Sequence, residues 1–165
     1  MTVTIAPITE EDIKALYPIG STKAVSWASG GGLKYPTPYA EFRTKNTIAV
    51  SDDVGELETW VINHNGEPVG SIGYFRREEE NPLEIGYWLG ESFWGMGIAS
   101  KALALTLDAI RLNGVTGTLT ATALKDNIGS AKILQKCGFI VTGEENMHSP
   151  ARDMMVDVIH YKVDL

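Results

Sequence analysis

The segment Glu84–Lys101, EIGYWLGESFWGMGIASK, constrains the fold more strongly than any other part of the chain. A strand, Leu83–Leu89, is predicted at its start, and a helix, Gly97–Leu112, at its end. Between them, Gly95 and Gly97 permit a tight turn. Apolar residues recur along the helix at the spacing of one buried stripe, namely Ile98, Ala102, Leu105, Ala109 and Leu112. The segment therefore predicts a helix packed on a sheet.

Three antiparallel strands are predicted in the middle of the chain. Glu56–His64 and Val69–Arg76 flank Asn65-Gly66, which is the strongest short hairpin signal. A charged stretch, Glu78–Pro82, is interpreted as a solvated turn that leads into the third strand, Leu83–Leu89. The three strands form a meander, whereas a dinucleotide-binding fold would place its glycine loop after the first strand of a parallel sheet.

The chain begins with a predicted strand and a short helix. Thr2–Ile8 alternates and is rich in β-branched residues, which favours a strand. Thr9 and Asp12 have the spacing of a capping box, so we expect a helix to begin there. The helix is expected to end near Tyr17, because Pro18 follows.

The next segment, Ser21–Pro38, is the least regular part of the sequence and carries Ser29-Gly30-Gly31-Gly32 at its centre. Thr37-Pro38 then offers an N-cap and a proline at the first helical position. We predict a helix from there to about Lys45.

The last third of the chain predicts a strand, a capped helix and two further strands. Val115–Ala123 is rich in β-formers, and Asn127–Cys137 is a short helix. Gly138 can take the left-handed position after this helix, with Phe139 packed back on Ile133 or Leu134 as in a Schellman cap. The two final strands are Phe139–Thr142 and Met154–Val163. With no internal repeat or linker, we predict one α+β domain over residues 1–165.

Charge and cysteine content narrow the class of function. Fourteen Lys and Arg against twenty-one Asp and Glu give a net charge of −7, which disfavours nucleic-acid binding and suits cationic acceptors such as amines. One cysteine, Cys137, excludes an internal disulfide framework and a multi-cysteine zinc site. The spacing of His64, His148 and His160 is not that of metal ligands. Without an apolar run of membrane-spanning length or a signal peptide, we expect no membrane partner and a cytoplasmic protein.

The turn at Gly95–Gly97 is a candidate phosphate site. The first turn of a helix has unpaired backbone N–H groups and a positive dipole end, so the amides of Met96 through Lys101 could cradle a pyrophosphate. The alternative is that the glycines simply make a tight turn. The segment lacks the Gly-Lys-Ser/Thr ending of a Walker A loop, and Ser100 stands where a dinucleotide fingerprint has its third glycine.

Two motifs in order resemble the GCN5-related N-acetyltransferase (GNAT) superfamily, in its ribosomal-protein and N-terminal-amine acetyltransferase branch. The family motif Gln/Arg-x-x-Gly-x-Gly/Ala aligns with Trp94–Ala99, with Trp94 in place of Gln or Arg. The downstream motif aligns with Asn127, Ser130, Gly138 and Phe139. The resemblance is strong from about Leu83 to Thr142 and weak before Lys45.

The resemblance implies a three-layer fold, with a mixed, mostly antiparallel sheet of six to seven strands, splayed central strands and flanking helices. Acetyl-CoA would lie in the wedge between Leu83–Leu89 and Val115–Ala123, with no metal. Its pantetheine arm would pair with the backbone of Tyr87, Trp88 and Leu89, and Asn127 would contact it nearby. Lys132 or Lys136 would reach the adenosine phosphates, unless both are solvated surface residues. The pyrophosphate would sit on the amides of Met96, Gly97, Ile98, Ala99 and Ser100.

By resemblance, the chemistry is direct attack of a neutral primary amine on the thioester, with a backbone N–H near Leu89 stabilising the oxyanion. Ser130, one turn inside the helix that starts at Asn127, would hydrogen-bond the leaving sulfur. Many members have a Tyr that acts as the acid four residues later, and Leu134 in this chain removes that candidate. The alternatives are that Asn127 is a plain N-cap and Ser130 a small surface residue.

Glu84 is the leading candidate base, with an exposed strand acid as its alternative. If Glu84 is the base, Glu84→Gln should lower the rate well beyond tenfold. Some members place a Glu where this chain has about Ser149; His148 is adjacent and has a suitable intrinsic pKa, and a water chain is a further option.

Four aromatic residues flank the glycine-rich loop: Trp27, Tyr35, Tyr39 and Phe42. The triple glycine suggests a mobile lid, and the resemblance implies that the early helices cover the acceptor. The aromatic residues line the acceptor site or pack in the core, the latter being more frequent. The acceptor would be a protein N-terminus or a small-molecule amine, and the chain a monomer or homodimer. The competing functions are an acyl-CoA-binding module of the same fold without turnover and an unrelated phosphate-binding protein.

Overall fold

The computed structural model describes residues 1–30, 32–46, 58–76 and 81–165. Its centre is one seven-stranded sheet in the order β1-β2-β3-β4-β5-β7-β6, antiparallel except between β4 and β5. The strands are β1 Val3–Pro7, β2 Glu58–His64, β3 Glu67–Phe75, β4 Leu83–Leu89, β5 Thr118–Leu124, β6 Ile140–Ser149 and β7 Met154–Asp164. The helices are α1 Glu10–Gly20, α2 Lys23–Ser29, α3 Tyr39–Asn46, α4 Ile98–Leu112 and α5 Ile128–Lys136.

Helices cover both faces of the sheet. Strand side chains alternate between the faces, so Ile62 and Ile72 join α4 and α5 in the main core, whereas Val61 packs with α1 and α3. The predicted mixed α+β fold with three layers is therefore confirmed.

The predicted meander of β2, β3 and β4 is confirmed, with the bounds of β4 as expected. Asn65 and Gly66 have φ values of 52° and 87°, the positive pair that a type I′ hairpin turn requires. The start predicted for β2 and most of the turn expected at Glu78–Pro82 lie outside the described residues.

Two predictions for the N-terminal helices were wrong. Pro18 does not stop α1, which continues to Gly20. Proline in the last turn removes a single backbone hydrogen bond, and Ser21 closes the helix by donating to the Tyr17 carbonyl through both its N–H and its hydroxyl. Within the segment expected to be irregular, α2 forms behind an N-cap at Thr22, whose hydroxyl accepts from the Val25 N–H.

The buried stripe of α4 also differs from the prediction. Leu112 is 87% exposed, and Leu105 and Ala109 are half-buried. The buried stripe includes Thr106. Its hydroxyl donates to the Ala102 carbonyl at 2.9 Å, so the polar group keeps a hydrogen bond although it is buried. The residues that α4 buries are Ile98, Ala99, Ala102, Leu103, Thr106, Leu107 and Ile110.

The end of α5 is the predicted Schellman cap. Gly138 has φ 89°, its N–H donates to Gln135, and the Phe139 N–H donates to Leu134 at 3.0 Å. The strand after it, β6, extends to Ser149, well beyond the predicted Thr142, because it pairs along its length with β7.

Candidate active site

The two central strands, β4 and β5, separate after two residue pairs. Leu83 pairs with Leu119 and Glu84 with Thr120, and the Thr120 hydroxyl donates to the Leu83 carbonyl at 3.0 Å. Beyond Glu84, β4 stays paired with β3 on its other edge, while β5 pairs with β7. The predicted splay is present, and it leaves a gap beside the second half of β4.

The backbone groups that face this gap belong to alternate residues of β4. The Gly90 N–H donates to the Val69 carbonyl of β3, so Trp88, two residues earlier, also turns its backbone to β3. Tyr87 and Leu89 turn theirs to the gap. The Leu89 carbonyl already accepts from the Trp94 indole at 2.9 Å.

The helix that follows begins without a side-chain cap. Gly97, its N-cap residue, has φ 77°, and a Cβ atom at this position would meet no atom within 4 Å. The first helical bond runs from the Lys101 N–H to the Gly97 carbonyl, so the amides of Ile98, Ala99 and Ser100 precede the helical ladder. An open backbone and a positive helix end meet the requirement for binding an anion there.

A cavity of about 580 Å³ lies along the gap. Its walls include six of the predicted site residues: Glu84, Tyr87, Trp88, Asn127, Ser130 and His148. The structure therefore brings together the candidate base, the candidate sulfur contact and the strand predicted to hold the pantetheine.

A side-chain contact that the sequence did not reveal links Tyr87 to Ser130. The Tyr87 hydroxyl lies 2.9 Å from Ser130 Oγ across the cavity. Burial raises the pKa of Tyr87 to about 12, with the Ser130 hydrogen bond opposing the shift. The phenol thus keeps its proton and can donate it to the Ser130 oxygen, which frees the serine hydroxyl to point elsewhere.

Asn127 is the N-cap of α5, as the alternative interpretation stated. Its Oδ1 accepts from the Ser130 N–H at 3.0 Å, and its Nδ2 donates to the Ala28 carbonyl at 3.2 Å. Asn127 also lines the cavity, so it positions Ser130 while one amide hydrogen stays available. Leu134, one turn further on, is a buried core residue on the cavity wall.

Ser149, at the position where the resemblance led us to look for a Glu, has a structural role. It is 2% exposed, and its hydroxyl donates to the Gly30 carbonyl and accepts from the Arg152 N–H. His148 has a mostly exposed side chain, and its Nε2 lies 3.4 Å from Asp153 Oδ1. Lys34 pairs with the same carboxylate, and its hydrogen bond and charge, followed by the His148 hydrogen bond, hold the pKa of Asp153 below its usual range.

A second cavity, of about 550 Å³, runs along α4 from Gly97 to Arg111 and borders the end of α5. Of the two lysines proposed for the adenosine phosphates, Lys136 lines it and Lys132 does not. Two cations that the sequence analysis missed, Lys101 and Arg111, also line it. Their spacing on α4 is not that of any motif, which is why no pattern indicated them.

The aromatic residues near the glycine-rich loop divide between core and surface. Phe42 is buried against Trp88 and lines the main cavity. Tyr39 packs edge-on against Tyr17, and Trp27 lies under the Arg152 guanidinium at 4.5 Å. Tyr35 is about half exposed. Gly31, at the centre of the predicted lid, lies outside the described residues.

The thiol of Cys137 does not have the environment of a nucleophile. Burial raises its pKa, and its Sγ lies 3.6 Å from the Ser100 carbonyl. Among the described residues, no group of three or more His, Cys, Asp and Glu side chains is placed to hold a metal ion. Within the same ranges, no helix is long and apolar enough to cross a membrane.

Sequence comparison identifies one family over most of the chain. The family model of the acetyltransferase (GNAT) domain matches residues 2–140. The ribosomal-protein-serine acetyltransferase of Escherichia coli (strain K12) is 29% identical over 141 residues, which cover 82% of this chain and 78% of the relative.

Solved structures share the fold. The ribosomal L7/L12 alpha-N-protein acetyltransferase RimL, in complex with coenzyme A, superposes with a TM-score of 0.80 at 22% identity, covering 100% of this chain and 95% of the other. The acetyltransferase AAC(6')-Ib, in complex with ribostamycin and coenzyme A, has a TM-score of 0.78 at 18% identity, covering 99% and 94%.

Proposed function

The chain belongs to the GNAT acetyltransferase family, and on that premise we propose that it transfers an acetyl group from acetyl-CoA to a primary amine at the gap between β4 and β5. The observation that carries the proposal is the early separation of these strands beside the uncapped start of α4. Bound there, acetyl-CoA supplies the thioester whose carbonyl carbon the amine attacks.

The fit between the site and the coenzyme rests on backbone groups. Tyr87 and Leu89 face the gap and are proposed to pair with the pantetheine amides, while Trp88 supports them from the β3 side. The amides of Met96, Gly97, Ile98, Ala99 and Ser100 are proposed to hold the pyrophosphate, because no side chain competes for them at the Gly97 cap. Lys101, Arg111 and Lys136 suit the phosphates of the adenosine end.

Ser130 and Tyr87 are proposed to stabilise the departing sulfur. Either hydroxyl of this pair can be the donor; in the proposed arrangement Tyr87 donates to Ser130 Oγ and the Ser130 hydroxyl donates to the thiolate. Because a phenol with a pKa of about 12 is a weaker acid than a thiol, the pair acts by hydrogen bonding rather than by complete proton transfer. Asn127 keeps Ser130 in place through the α5 cap.

Glu84 is proposed to contact the acceptor amine. Its carboxylate lines the gap on the face opposite α4, where it attracts an ammonium group. His148, on the cavity wall beyond it, is a second candidate proton acceptor. Glu84→Gln tests the direct-base role, since loss of the base should lower kcat well beyond tenfold and change the pH–rate profile.

For the acceptor, we propose a protein N-terminus or a small-molecule amine. The ribosomal-protein-serine acetyltransferase relative suggests the first, and the ribostamycin complex of AAC(6')-Ib suggests the second. The net charge of −7 suits either cation. A cytoplasmic location and a monomeric or homodimeric state remain predictions, testable by cell fractionation and by light scattering.

The decisive experiment is thiol release from acetyl-CoA with a panel of amines. The panel comprises a serine-initiated peptide, ribostamycin and spermidine, and water alone is the control. Amine-dependent release of coenzyme A, with a product heavier by one acetyl group, supports the proposal. Calorimetry that shows tight ATP binding without coenzyme A binding would contradict it.

An acyl-CoA-binding module without turnover is the second candidate. Two positions favour it, because Leu134 replaces the family tyrosine and Ser149 is committed to the Gly30 carbonyl. Coenzyme A binding without release on any amine of the panel would identify the module.

A further inference from the structure

Three side chains on neighbouring strands form a hydrogen-bonded chain on the face of the sheet opposite α4. Thr122 Oγ1 of β5 lies 3.0 Å from His160 Nδ1 of β7. His160 Nε2 lies 2.9 Å from Glu145 Oε2 of β6. A carboxylate only accepts, so in the neutral imidazole that the proposal requires, Nε2 donates to Glu145 and Nδ1 accepts from the threonine hydroxyl. The order hydroxyl, imidazole, carboxylate is that of a proton-accepting triad.

One end of this chain lies in the proposed site. Leu119, Ala121 and Ala123 belong to the core under α4, so Thr120 and Thr122 point to the other face, as Glu84 does. Thr120 pairs with Glu84 at the last contact before the strands separate, which places Thr122 just inside the gap. Thr122 lines the same cavity as Glu84 and Ser130.

The other end of the chain reaches water, because the Glu145 side chain is 56% exposed. Tyr87 and Ser130 contact each other on the α5 side of the gap, and Thr122 and His160 lie on the opposite side. A proton taken from an acceptor in the gap therefore has a route to solvent that does not cross the sulfur side.

We propose that the Thr122–His160–Glu145 relay removes the proton that the acceptor ammonium must lose before it attacks. An ammonium N–H bond breaks as its proton passes to Thr122 Oγ1, while the threonine proton passes to His160 Nδ1. Glu145 stabilises the imidazolium, which then releases one proton to water. After attack, the nitrogen loses a second proton and the sulfur gains one, so the overall change is one acetamide, one thiol and one free proton. This inference rests on the proposed acetyl transfer.

An imidazole suits this task better than an ordinary carboxylate. Catalytic bases work best when their pKa lies near the working pH, as it does for imidazoles in general. Among the described residues of β4 to β7, the charged groups on the same face as the relay include Glu145 on β6, Lys162 and Asp164 on β7, and Glu84 on β4. Glu84 then attracts the ammonium, while the relay takes its proton.

The test uses the ratio of wild-type to variant kcat across pH. The acceptor is the serine-initiated peptide, whose α-amine has an ordinary pKa of about 8, or the amine of the panel that the wild type acetylates fastest. Thr122→Val removes only the hydroxyl, and His160→Gln keeps both hydrogen bonds without titrating. For either variant, kcat is expected to fall about 100-fold at pH 6.5, and the deficit to shrink above the pKa of the amine, where no base is needed.

A matched control lies four residues away on the same strand. The Thr118 hydroxyl also donates to a β7 side chain, Asp164 Oδ1 at 3.1 Å, so Thr118→Val removes an equivalent bond away from the gap. This control should retain wild-type kcat at every pH. Two results would overturn the relay. One is a loss of kcat in Thr122→Val that does not change with pH, as a merely structural role predicts. The other is a pH-dependent loss of kcat that occurs only in Glu84→Gln. If wild type acetylates no amine of the panel, the proposed function itself fails.

Discussion

At the scale of single residues, the contact between Tyr87 and Ser130 gives a prediction for kcat. Ser130→Ala and Tyr87→Phe should each lower kcat about tenfold, and the double variant should be little worse than Ser130→Ala, because the two hydroxyls act in series. A double-mutant cycle on kcat measures this. Additive losses would show that the hydroxyls act separately.

The same phenol predicts how stability changes in alkali. Its pKa is raised to about 12 in the fold, whereas an unfolded tyrosine titrates near 10, so the unfolded chain loses this proton first. The contribution of Tyr87 to the free energy of unfolding is full below about pH 10 and declines as pH rises through the folded pKa. Urea unfolding at a series of pH values should show that Tyr87→Phe removes part of this decline. Identical slopes in wild type and variant would contradict it.

The residue scale also shows why parts of the site escaped prediction. Ser130 and Glu84 could be named because a motif or a strand position indicates them. The hydroxyl of Tyr87 and the imidazole of His160 could not, because their partners lie 43 and 38 residues away in sequence. Such pairs follow from sheet order, and the sequence does not reveal that β7 inserts between β5 and β6.

At the scale of elements, a matched pair of glycines lies at the two ends of α4. Gly97 and Gly114 flank the helix, both have φ 77°, and a Cβ atom at either position would meet nothing within 4 Å. Gly97→Ala and Gly114→Ala should therefore cost similar stability, about 1 kcal/mol each. Only Gly97→Ala is expected to weaken coenzyme A binding, by roughly tenfold, because its methyl group would occupy open space through which the pyrophosphate is proposed to approach the backbone amides. Calorimetry with coenzyme A measures the difference, and equal affinities for the two variants would rule out the cradle.

Element boundaries were predictable where local chemistry decides them. The Schellman cap after α5 and the hairpin at Asn65-Gly66 depend on residues next to one another, and both were correct. The α4 stripe depends on which of several apolar faces the sheet covers, and periodicity alone does not choose between them. Pro18 was misjudged because one missing hydrogen bond in a last turn is outweighed by the packing of α1 on the sheet.

At the scale of the whole molecule, residues far apart in sequence contact one another at the β6–β7 turn, and two of them, Gly30 and Ser149, line the cavity. We call these five residues the β6–β7 latch. Ser149 and Arg152 lie at the turn, Asp126 precedes α5, Trp27 lies within α2, and Gly30 follows α2. The Arg152 Nε donates to the Trp27 carbonyl at 2.9 Å, and the guanidinium contacts both Asp126 carboxylate oxygens. Ser149 donates to Gly30. The Ser149 hydroxyl is thus engaged in structural hydrogen bonds, and we propose that the base lies elsewhere.

The latch yields a prediction for acid stability and for acceptor binding together. Arg152 holds the pKa of Asp126 below its usual value, mainly through the hydrogen bond, so the pair stabilises the fold above about pH 3.8 and loses this effect as pH falls through the lower folded pKa. Asp126→Asn should lower the free energy of unfolding by about 0.5–1 kcal/mol at pH 7. The value is small because water screens the Asp126 side chain, which is 61% exposed, even though the Arg152 side chain is only 8% exposed. Below pH 3.8, the free energies of unfolding of wild type and Asp126→Asn should become more similar.

The same variant should raise KM for the amine while coenzyme A affinity stays unchanged, because Gly30 and Ser149 line the cavity far from the start of α4. Asp153→Asn is the control, since its carboxylate lies at the same turn but pairs with Lys34 and His148 on the surface. Urea unfolding at pH 7 and pH 3, with steady-state kinetics at pH 7, gives both readouts. If Asp126→Asn raised KM for the coenzyme instead, the latch would act on α5 and its Asn127 cap rather than on the acceptor wall, because Asn127 also binds the Ala28 carbonyl.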